Sequence, residues 1–201
     1  SMSTQKLDSQ IRRRQIVKAA IELLGTCDVG ELSLAMIARR VGLVPSAIYR
    51  HFEGREAVLD AVLDSIGDRL RENLRLVEQE PEALPRLKSL LMMHVRFVRE
   101  NQAIPRTIFS DEIVSRNPGR RRKVYQIIQS YLQGVAAIIQ DGQAAEKIRA
   151  DVDSTTIAMQ FLGIVQSGAI LRHLSDGEFD IARYARRAWE HFRNSTAAES
   201  P

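Results

Sequence analysis

The sequence predicts an all-α fold of about nine helices, and three observations lead to this prediction. Apolar residues recur about every three to four positions in nearly every segment of the 201-residue chain, which is the periodicity of a helix that buries one face. No segment alternates apolar and polar residues as a half-buried strand does. Glycine, proline, serine and asparagine separate the periodic segments, as they commonly do between helices.

The first three predicted helices are short, and the last two of them are joined by a glycine turn. Ser33 is a suitable N-cap for the second helix, and Gly42 lies where that helix has to end. Pro45 suits the first turn of the third helix, which we expect to extend to about Phe52. Two short helices joined by a turn that contains glycine are typical of a helix-turn-helix. The predicted buried face of the first helix comprises Ile16, Ala19, Ala20, Leu23 and Leu24.

Six further helices are predicted after this N-terminal group. They cover residues 58–77, 87–98, 101–115, 124–142, 157–174 and 181–192. The segment 101–115 is the least regular of the six. The segment 157–174 is apolar on nearly every side, so we expect it to be buried on more than one face.

Several classes of protein lack their sequence patterns in this chain. There is no P-loop and no dinucleotide fingerprint, and the four histidines and the single cysteine, Cys27, form no metal-binding motif. We therefore expect no catalytic site, no cofactor and no metal. The most apolar run, residues 161–171, is too short to span a bilayer, and the N-terminus lacks an apolar export signal. These features favour a cytoplasmic protein that is not an enzyme and has no membrane partner.

The second helix of a helix-turn-helix is the one that enters the major groove of double-stranded DNA. Ile48 and Phe52, four residues apart, are expected to hold this helix on the core of its unit. The residues expected to face base edges are Val44, Pro45, Ser46 and Ala47. The residues left on the exposed flank, within reach of phosphates, are Tyr49, Arg50 and His51. The formal net charge of +4 is compatible with an anionic partner but does not identify one.

The segment from about Arg12 to Leu63 resembles the N-terminal DNA-binding domain of the TetR (tetracycline repressor) family of bacterial regulators. The resemblance is carried by Ile16, Ala19, Ala20, Leu23, Gly30, Ile37, Ala38, Val41, Gly42, Ile48, Tyr49, His51, Phe52, Glu56 and Leu59. It implies a DNA-binding domain at residues 1–54 and a helical domain for ligand binding and dimerisation at residues 55–201.

The resemblance also implies roles for single residues. Tyr49 and His51 would contact the phosphate backbone, and Arg55, where the family usually has lysine, would hold a further phosphate. Ser33 would offer its hydroxyl or its backbone N–H to a phosphate. Three residues could contact either guanine or phosphate: Arg39, Arg40 and Arg50. The Arg12–Arg13–Arg14 run is either a solvated helix face or a further phosphate contact.

The reading turn departs from the family pattern. Many relatives have serine at the position of Val44, which cannot cap the helix with a side-chain oxygen. Val44 and Ala47 can instead contact a thymine methyl, and Ser46 can hydrogen-bond several bases. The departure leaves the operator sequence open.

The last two predicted helices are expected to form a homodimer interface, because a helix-turn-helix of this size usually binds a palindrome as a symmetric dimer. The proposed interface residues are Phe161, Ile164, Gly168, Leu171, Ala188, Trp189 and Phe192. A wholly intramolecular core is the alternative for the same residues.

By the resemblance, a small-molecule effector enters a cavity among the middle helices. The candidate lining residues are Met92, Met93, Phe97, Phe109, Tyr125, Met159 and Gln166, with Tyr131 and the polar His94 as further candidates. Methionine and aromatic side chains suit apolar ligands, but the same residues are equally compatible with an ordinary core. The sequence therefore predicts a repressor that binds a palindromic operator and is released by a small hydrophobic effector. Two alternatives are a DNA-binding protein with no small-molecule input and an all-helical enzyme.

Overall fold

The computed structural model describes the backbone of residues 2–198 and the side chains of residues 5–198. Within these residues the secondary structure is helical, apart from one isolated β-bridge between Ile148 and Ala197. The α-helices are α1 (Met2–Leu23), α2 (Leu34–Val41), α3 (Pro45–Ile48), α4 (Arg55–Val77), α5 (Ala83–Glu100), α6 (Ala103–Ile108), α7 (Asp111–Val114), α8 (Pro118–Ala144), α9 (Ser154–Leu174) and α10 (Ile181–Thr196), with a 3-10 turn at Val29–Glu31. The predicted all-α class is confirmed.

The caps expected at the second helix are present. The Ser33 Oγ accepts a hydrogen bond from the Met36 N–H at 3.2 Å, which satisfies one of the free donors at the start of α2. Gly42 ends α2 in the left-handed conformation, with φ of 71°, which a residue without a Cβ adopts at little cost.

The third helix and the segment 101–115 differ from the sequence prediction. The third helix ends at Ile48, and tight turns follow it, in which the Arg50 and His51 N–H groups bond three residues back to the Ala47 and Ile48 carbonyl oxygens. The predicted helix at 101–115 is two helices, because Ser110 caps a new one by accepting from the Ile113 N–H at 3.4 Å. The described residues therefore form ten α-helices where about nine were expected.

The chain forms two compact units. Unit 1 contains the residues up to Asp68 together with Ala103–Val124, and unit 2 contains Arg69–Gln102 together with the residues from Tyr125 onward. The segment Ala103–Val124 therefore belongs to the same compact unit as the helix-turn-helix. The functional division at residues 1–54 and 55–201 follows different boundaries and stays a prediction.

Unit 1 is built on one apolar core beneath the helix-turn-helix. Ile48 and Phe52 are both buried, so α3 and the turn after it are attached to this core as expected. The fully buried members include Ile16, Ala20, Leu24, Leu32, Ile37, Ile48, Leu59, Leu63 and Ile113. The buried side chains of α1, α2 and α4 follow the helical spacing of the sequence.

Unit 2 packs α5 against α9 and α10. Close approach depends on two glycines: a Cβ at Gly134 would lie 2.5 Å from the Leu74 Cδ1, and one at Gly168 would lie 2.8 Å from the Ile181 Cγ1. The Phe161 and Phe192 rings meet edge to face at 6.0 Å.

One helix, α9 (Ser154–Leu174), is long and apolar enough to cross a membrane by length and composition. Core helices of globular proteins have the same properties, and α9 buries Phe161 and Val165 within unit 2. The finding is therefore weak evidence for a membrane span.

Candidate nucleic-acid interface

The N-terminal turn of α3 lies on the surface of unit 1. Val44 is 64% exposed, Pro45 and Ser46 are exposed, and Ala47 is half-buried. Val44 is the N-cap and makes no side-chain capping bond, so its methyl groups remain free for contact with another surface. An exposed turn on a buried anchor is the arrangement that groove reading requires.

The flank of α3 presents polar and basic groups beside this turn. Tyr49 is 60% exposed, so it is not a core residue, and Arg50 is also exposed. His51 is half-buried, and its Nδ1 lies 3.3 Å from the Ser9 Oγ. The structure thus brings these three predicted phosphate contacts to one edge of unit 1.

Helix α1 fixes the residues that follow α3. The Arg13 guanidinium carbon lies 4.1 Å from the centre of the Phe52 ring, a cation–π contact, and Arg13 also donates a hydrogen bond to the His51 carbonyl oxygen. Sequence reasoning missed Ser9 and missed this role of Arg13, because both depend on contacts about forty residues away in the chain.

Helix α2 contributes two exposed arginines, Arg39 and Arg40. The Arg40 Nε lies 2.8 Å from the Glu22 Oε2, and both side chains are well exposed. Such a surface pair is weak and screened by salt, so it leaves Arg40 able to exchange a carboxylate for a phosphate. Ser33 uses its oxygen as the α2 cap.

The Arg55 guanidinium, which the resemblance assigns to a phosphate, is bonded within unit 1. Its Nε donates to the Leu32 carbonyl oxygen at 2.6 Å, and one terminal nitrogen donates to the Val29 carbonyl oxygen. The other terminal nitrogen lies 2.7 Å from the Glu112 Oε1 and 3.0 Å from the Glu56 Oε1. The forked guanidinium reaches several acceptors at once, which a lysine at this position would not do.

A second basic run, Arg120–Lys123 near the start of α8, is occupied in part by ion pairs within unit 1. Arg120 is 5% exposed, with its Nε 3.0 Å from the Asp60 Oδ1 and a terminal nitrogen 2.5 Å from the Glu56 Oε2. The hydrogen bond from Arg120 lowers the pKa of the Glu56 carboxyl. Lys123 lies 2.8 Å from the Asp64 Oδ1.

The predicted ligand-lining residues differ in burial. Phe97 is buried in unit 2, while Met92, Met93 and Gln166 are half-buried there. Three are exposed, namely Phe109 in unit 1 and Tyr125 and Met159 in unit 2. Two open clefts of about 660 and 470 Å³ lie in unit 2, and none of the predicted lining residues lines either one.

His94 and Tyr131 form a buried polar pair in unit 2. The His94 Nδ1 and the Tyr131 hydroxyl oxygen are 3.0 Å apart, and the rings meet edge to face at 5.1 Å. Burial lowers the pKa of His94 to about 4, so the imidazole is neutral at pH 7. Burial also raises the pKa of the Tyr131 hydroxyl. Both groups are therefore uncharged hydrogen-bonding partners within an apolar core.

Several predicted dimer residues are instead used within one chain. Phe161, Trp189 and Phe192 are buried in the core of unit 2. The Ile181 side chain packs directly against Gly168. Large side chains in contact with their own helices have little surface left for a partner, which favours the alternative of an intramolecular core, and their assignment to a subunit interface stays a prediction. Leu171 is exposed, and Ile164 and Ala188 are half-buried beside the 470 Å³ cleft.

Within the residues whose side chains are described, no group of three or more histidine, cysteine, aspartate or glutamate side chains is placed to hold a metal ion. Cys27 is half-buried, and burial raises the pKa of its thiol.

Comparison with known families assigns both parts of the chain. Residues 16–62 match the family described as bacterial regulatory proteins, tetR family. Residues 83–192 match the tetracyclin repressor-like C-terminal domain. The chain belongs to the TetR family of bacterial transcriptional regulators.

The relatives of this TetR-family chain include DNA-associated and metabolic regulators. Nucleoid occlusion factor SlmA of Vibrio cholerae is 23% identical over 157 residues, which cover 77% of this chain and 80% of that protein. The fatty acid degradation regulator FadR of Bacillus halodurans superposes with a TM-score of 0.79 at 17% identity, covering 90% of this chain and 94% of that one. FadR of Bacillus subtilis, solved in complex with stearoyl-CoA, gives a TM-score of 0.78 at 16% identity, covering 90% and 98%. At these identities the structural likeness establishes the fold.

Membership of the TetR family relates α3 and its exposed turn to a known class of function. Proteins of this family are DNA-binding helix-turn-helix transcription regulators, and dimers and ligand binding are typical among them. The matched residues 16–62 include α2, α3 and the turn between them. These elements are the ones that place Val44–Ala47 on the surface.

Proposed function

We propose that this chain is a ligand-responsive repressor that binds a palindromic operator as a homodimer. The single observation that carries the proposal is the exposed turn at 44–47, fixed from below by buried Ile48 and Phe52. We infer that the protein binds DNA without catalysing a reaction and that it acts in the bacterial cytoplasm.

The turn of α3 reads base edges in the major groove. Val44 and Ala47 contact thymine methyl groups, Pro45 fixes the turn, and Ser46 hydrogen-bonds bases. Phosphates on either side are contacted by Ser33, Arg39, Arg40, Tyr49, Arg50 and His51. These contacts fix the register of the protein on DNA and supply most of its salt-dependent affinity.

Two copies of the chain pair through the outer face of α9 and α10. Leu171 is exposed and Ile164 and Ala188 border an open cleft, so this face retains apolar surface that its own chain leaves uncovered. A twofold axis there presents two reading turns to one palindrome.

A small hydrophobic effector releases the operator. The likeness to a FadR solved with stearoyl-CoA supports an amphipathic molecule with a long apolar part. Met92, Met93, Phe97 and Gln166 are the proposed contacts in unit 2. The effector lowers operator affinity by binding better to the conformation that does not fit DNA, and the coupling is reciprocal.

The proposal is tested by selecting bound DNA from a random pool and measuring the stoichiometry of the complex by analytical ultracentrifugation. Two chains per duplex on an inverted repeat, with release on addition of stearoyl-CoA or another apolar metabolite, are expected. A complex with one chain on an asymmetric site would contradict the proposal.

A DNA-binding protein without small-molecule input is the second candidate, and similarity to the nucleoid occlusion factor SlmA favours it. For this candidate, a broad screen of apolar metabolites would leave operator binding unchanged. Binding at many sites along the chromosome, and not only at a few promoters, would also support this second candidate.

A further inference from the structure

Arg55 joins two elements of unit 1 that are distant in sequence. Its Nε and one terminal nitrogen donate to the carbonyl oxygens of Leu32 and Val29, in the turn before α2. Its other terminal nitrogen lies 2.7 Å from the Glu112 Oε1, on α7. All three guanidinium nitrogens therefore have partners within the unit.

Glu112 also lies close to the same turn, at Gly30. Its Oε2 would lie 3.2 Å from a Cβ at Gly30, so this glycine leaves the space that the carboxylate needs. The neighbouring Ile113 is fully buried, which holds α7 in place. The turn at Val29–Leu32 leads directly into Ser33, the N-cap of α2. The position of α2 is thus set in part by the Arg55–Glu112 pair.

Other cations attach the same segment, Ala103–Val124, to the helix-turn-helix. Arg106 donates to the carbonyl oxygens of Leu24 and Cys27 at 2.6 and 3.1 Å. Arg120 binds Glu56 and Asp60 on α4. Arg55 is therefore one of several links by which this segment holds the reading helices.

We propose that Arg55 is a positioning residue which, with Glu112, sets the start of α2 and thereby the DNA-reading surface, and that it does not contact a phosphate. The inference rests on the proposed operator binding. A phosphate contact would require Arg55 to give up charge-assisted bonds that are already formed at low exposure, and the adjacent Glu56 and Glu112 carboxylates cancel its charge toward DNA.

The first experiment removes the Glu112 side chain, because a positioning role and a purely electrostatic role predict opposite changes in DNA affinity. Loss of an acidic side chain from a DNA-binding unit raises DNA affinity if only charge matters. If Glu112 positions α2, the Glu112→Ala variant binds the selected operator about tenfold more weakly, as expected for loss of a charge-assisted link. The matched control is Glu53→Ala, an exposed acidic residue in the same unit, which is expected to leave affinity unchanged or slightly raised.

Arg55→Lys supplies the second measurement, because lysine keeps the charge at residue 55 but not the forked set of donors. If Arg55 positions α2, Arg55→Lys binds the selected operator more weakly with an unchanged salt dependence, because an ammonium does not replace the bonds to Leu32, Val29 and Glu112. A phosphate contact predicts the affinity of the parent, because lysine holds a phosphate as a point charge. Either that result or a Glu112→Ala variant that binds as tightly as the parent would overturn the inference.

The outcomes separate this inference from the proposed function. If the parent protein selects no DNA, the proposed function fails. If the parent binds its operator but either variant departs from the result described, only the role of Arg55 and Glu112 is rejected. Circular dichroism melting of each variant identifies loss of fold, and a folded Glu112→Ala variant alone decides the matter.

Discussion

Protonation of the buried His94 imidazole destabilises the folded state. It is buried beside the Tyr131 hydroxyl, with Nδ1 and the phenolic oxygen 3.0 Å apart, and burial lowers its pKa from 6.5 to about 4. The unfolded chain therefore takes up this proton before the folded chain does. Stability from this group is fully present above pH 6.5 and is lost as the pH falls toward 4.

We expect the His94→Gln variant to have a flatter dependence of unfolding free energy on pH between 6.5 and 4. The parent should lose up to about 3 kcal/mol more than the variant across this window, since each pKa unit corresponds to about 1.4 kcal/mol. Urea titrations at several pH values measure the difference. His173→Gln, at an exposed histidine, is the control and should follow the parent. Equal pH dependence of the His94 variant and the parent would show that the imidazole is not buried in its neutral form.

Arg50 tests the proposed phosphate contacts at the level of one side chain. Arg50→Ala should weaken binding to all DNA sequences and reduce the salt slope by about one, because one phosphate contact and its released counterion are lost. Fluorescence anisotropy at four salt concentrations measures both quantities. Arg96→Ala, at an exposed arginine in unit 2, should change neither; a salt slope unaffected by the Arg50 change would remove Arg50 from the interface.

At the scale of elements, α9 contains two glycines with opposite surroundings. A Cβ at Gly163 would meet nothing within 4 Å, whereas one at Gly168 would lie 2.8 Å from the Ile181 Cγ1 and 3.2 Å from the Tyr184 Cδ1. Gly168 therefore allows α9 and α10 of one chain to pack closely, and Gly163 does not serve this purpose.

The matched pair Gly163→Ala and Gly168→Ala should change stability in opposite directions. Alanine at 163 gains up to about 1 kcal/mol of helix propensity, while alanine at 168 loses about 1–3 kcal/mol through overpacking. Thermal unfolding at fixed protein concentration gives both values. Stabilisation by both alanines would mean that Ile181 and Tyr184 move aside without cost.

The sequence predicted elements well where the signal is local. Ser33 and Gly42 bound α2 as expected because a cap and a left-handed residue act within one turn of the chain. The division of 101–115 at Ser110 was missed because the apolar spacing there is irregular.

The sequence predicted where the candidate site lies, but it did not predict the hydrogen bonds, ion pairs and stacking contacts within it. The exposure of Val44–Ser46 follows from the helical spacing of Ile48 and Phe52. The inward turn of Arg55 and the stacking of Arg13 on Phe52 depend on partners from distant segments, Glu112 and α1. The same holds for Trp189 and Phe192, whose apolar character fits a chain core and a subunit interface equally well.

At the scale of the whole molecule, α9 leaves apolar side chains uncovered. Ile170 and Leu171 are exposed, and Leu174 is 73% exposed. An apolar strip of this kind is typical of an interaction surface, and it shares Leu171 with the face proposed for dimerisation.

Leu171→Glu should shift the protein toward monomer while leaving the fold of each chain intact, because it places a charge in a face that the partner would bury. Sedimentation velocity over a range of concentrations measures the shift. Leu76→Glu, at an exposed leucine on α4, is the control and should leave the association state unchanged. A Leu171→Glu variant that sediments as the parent would place the interface elsewhere.

Sequencing of DNA selected from a random pool shows whether the turn at Val44–Ala47 reads DNA in two symmetric copies. The parent should enrich an inverted repeat whose half-sites are about one helical turn apart, or a multiple of it, and an Ala47→Ser variant should change the preferred bases at the same position in both halves. Enrichment of no motif, or of a motif without twofold symmetry, would contradict the account.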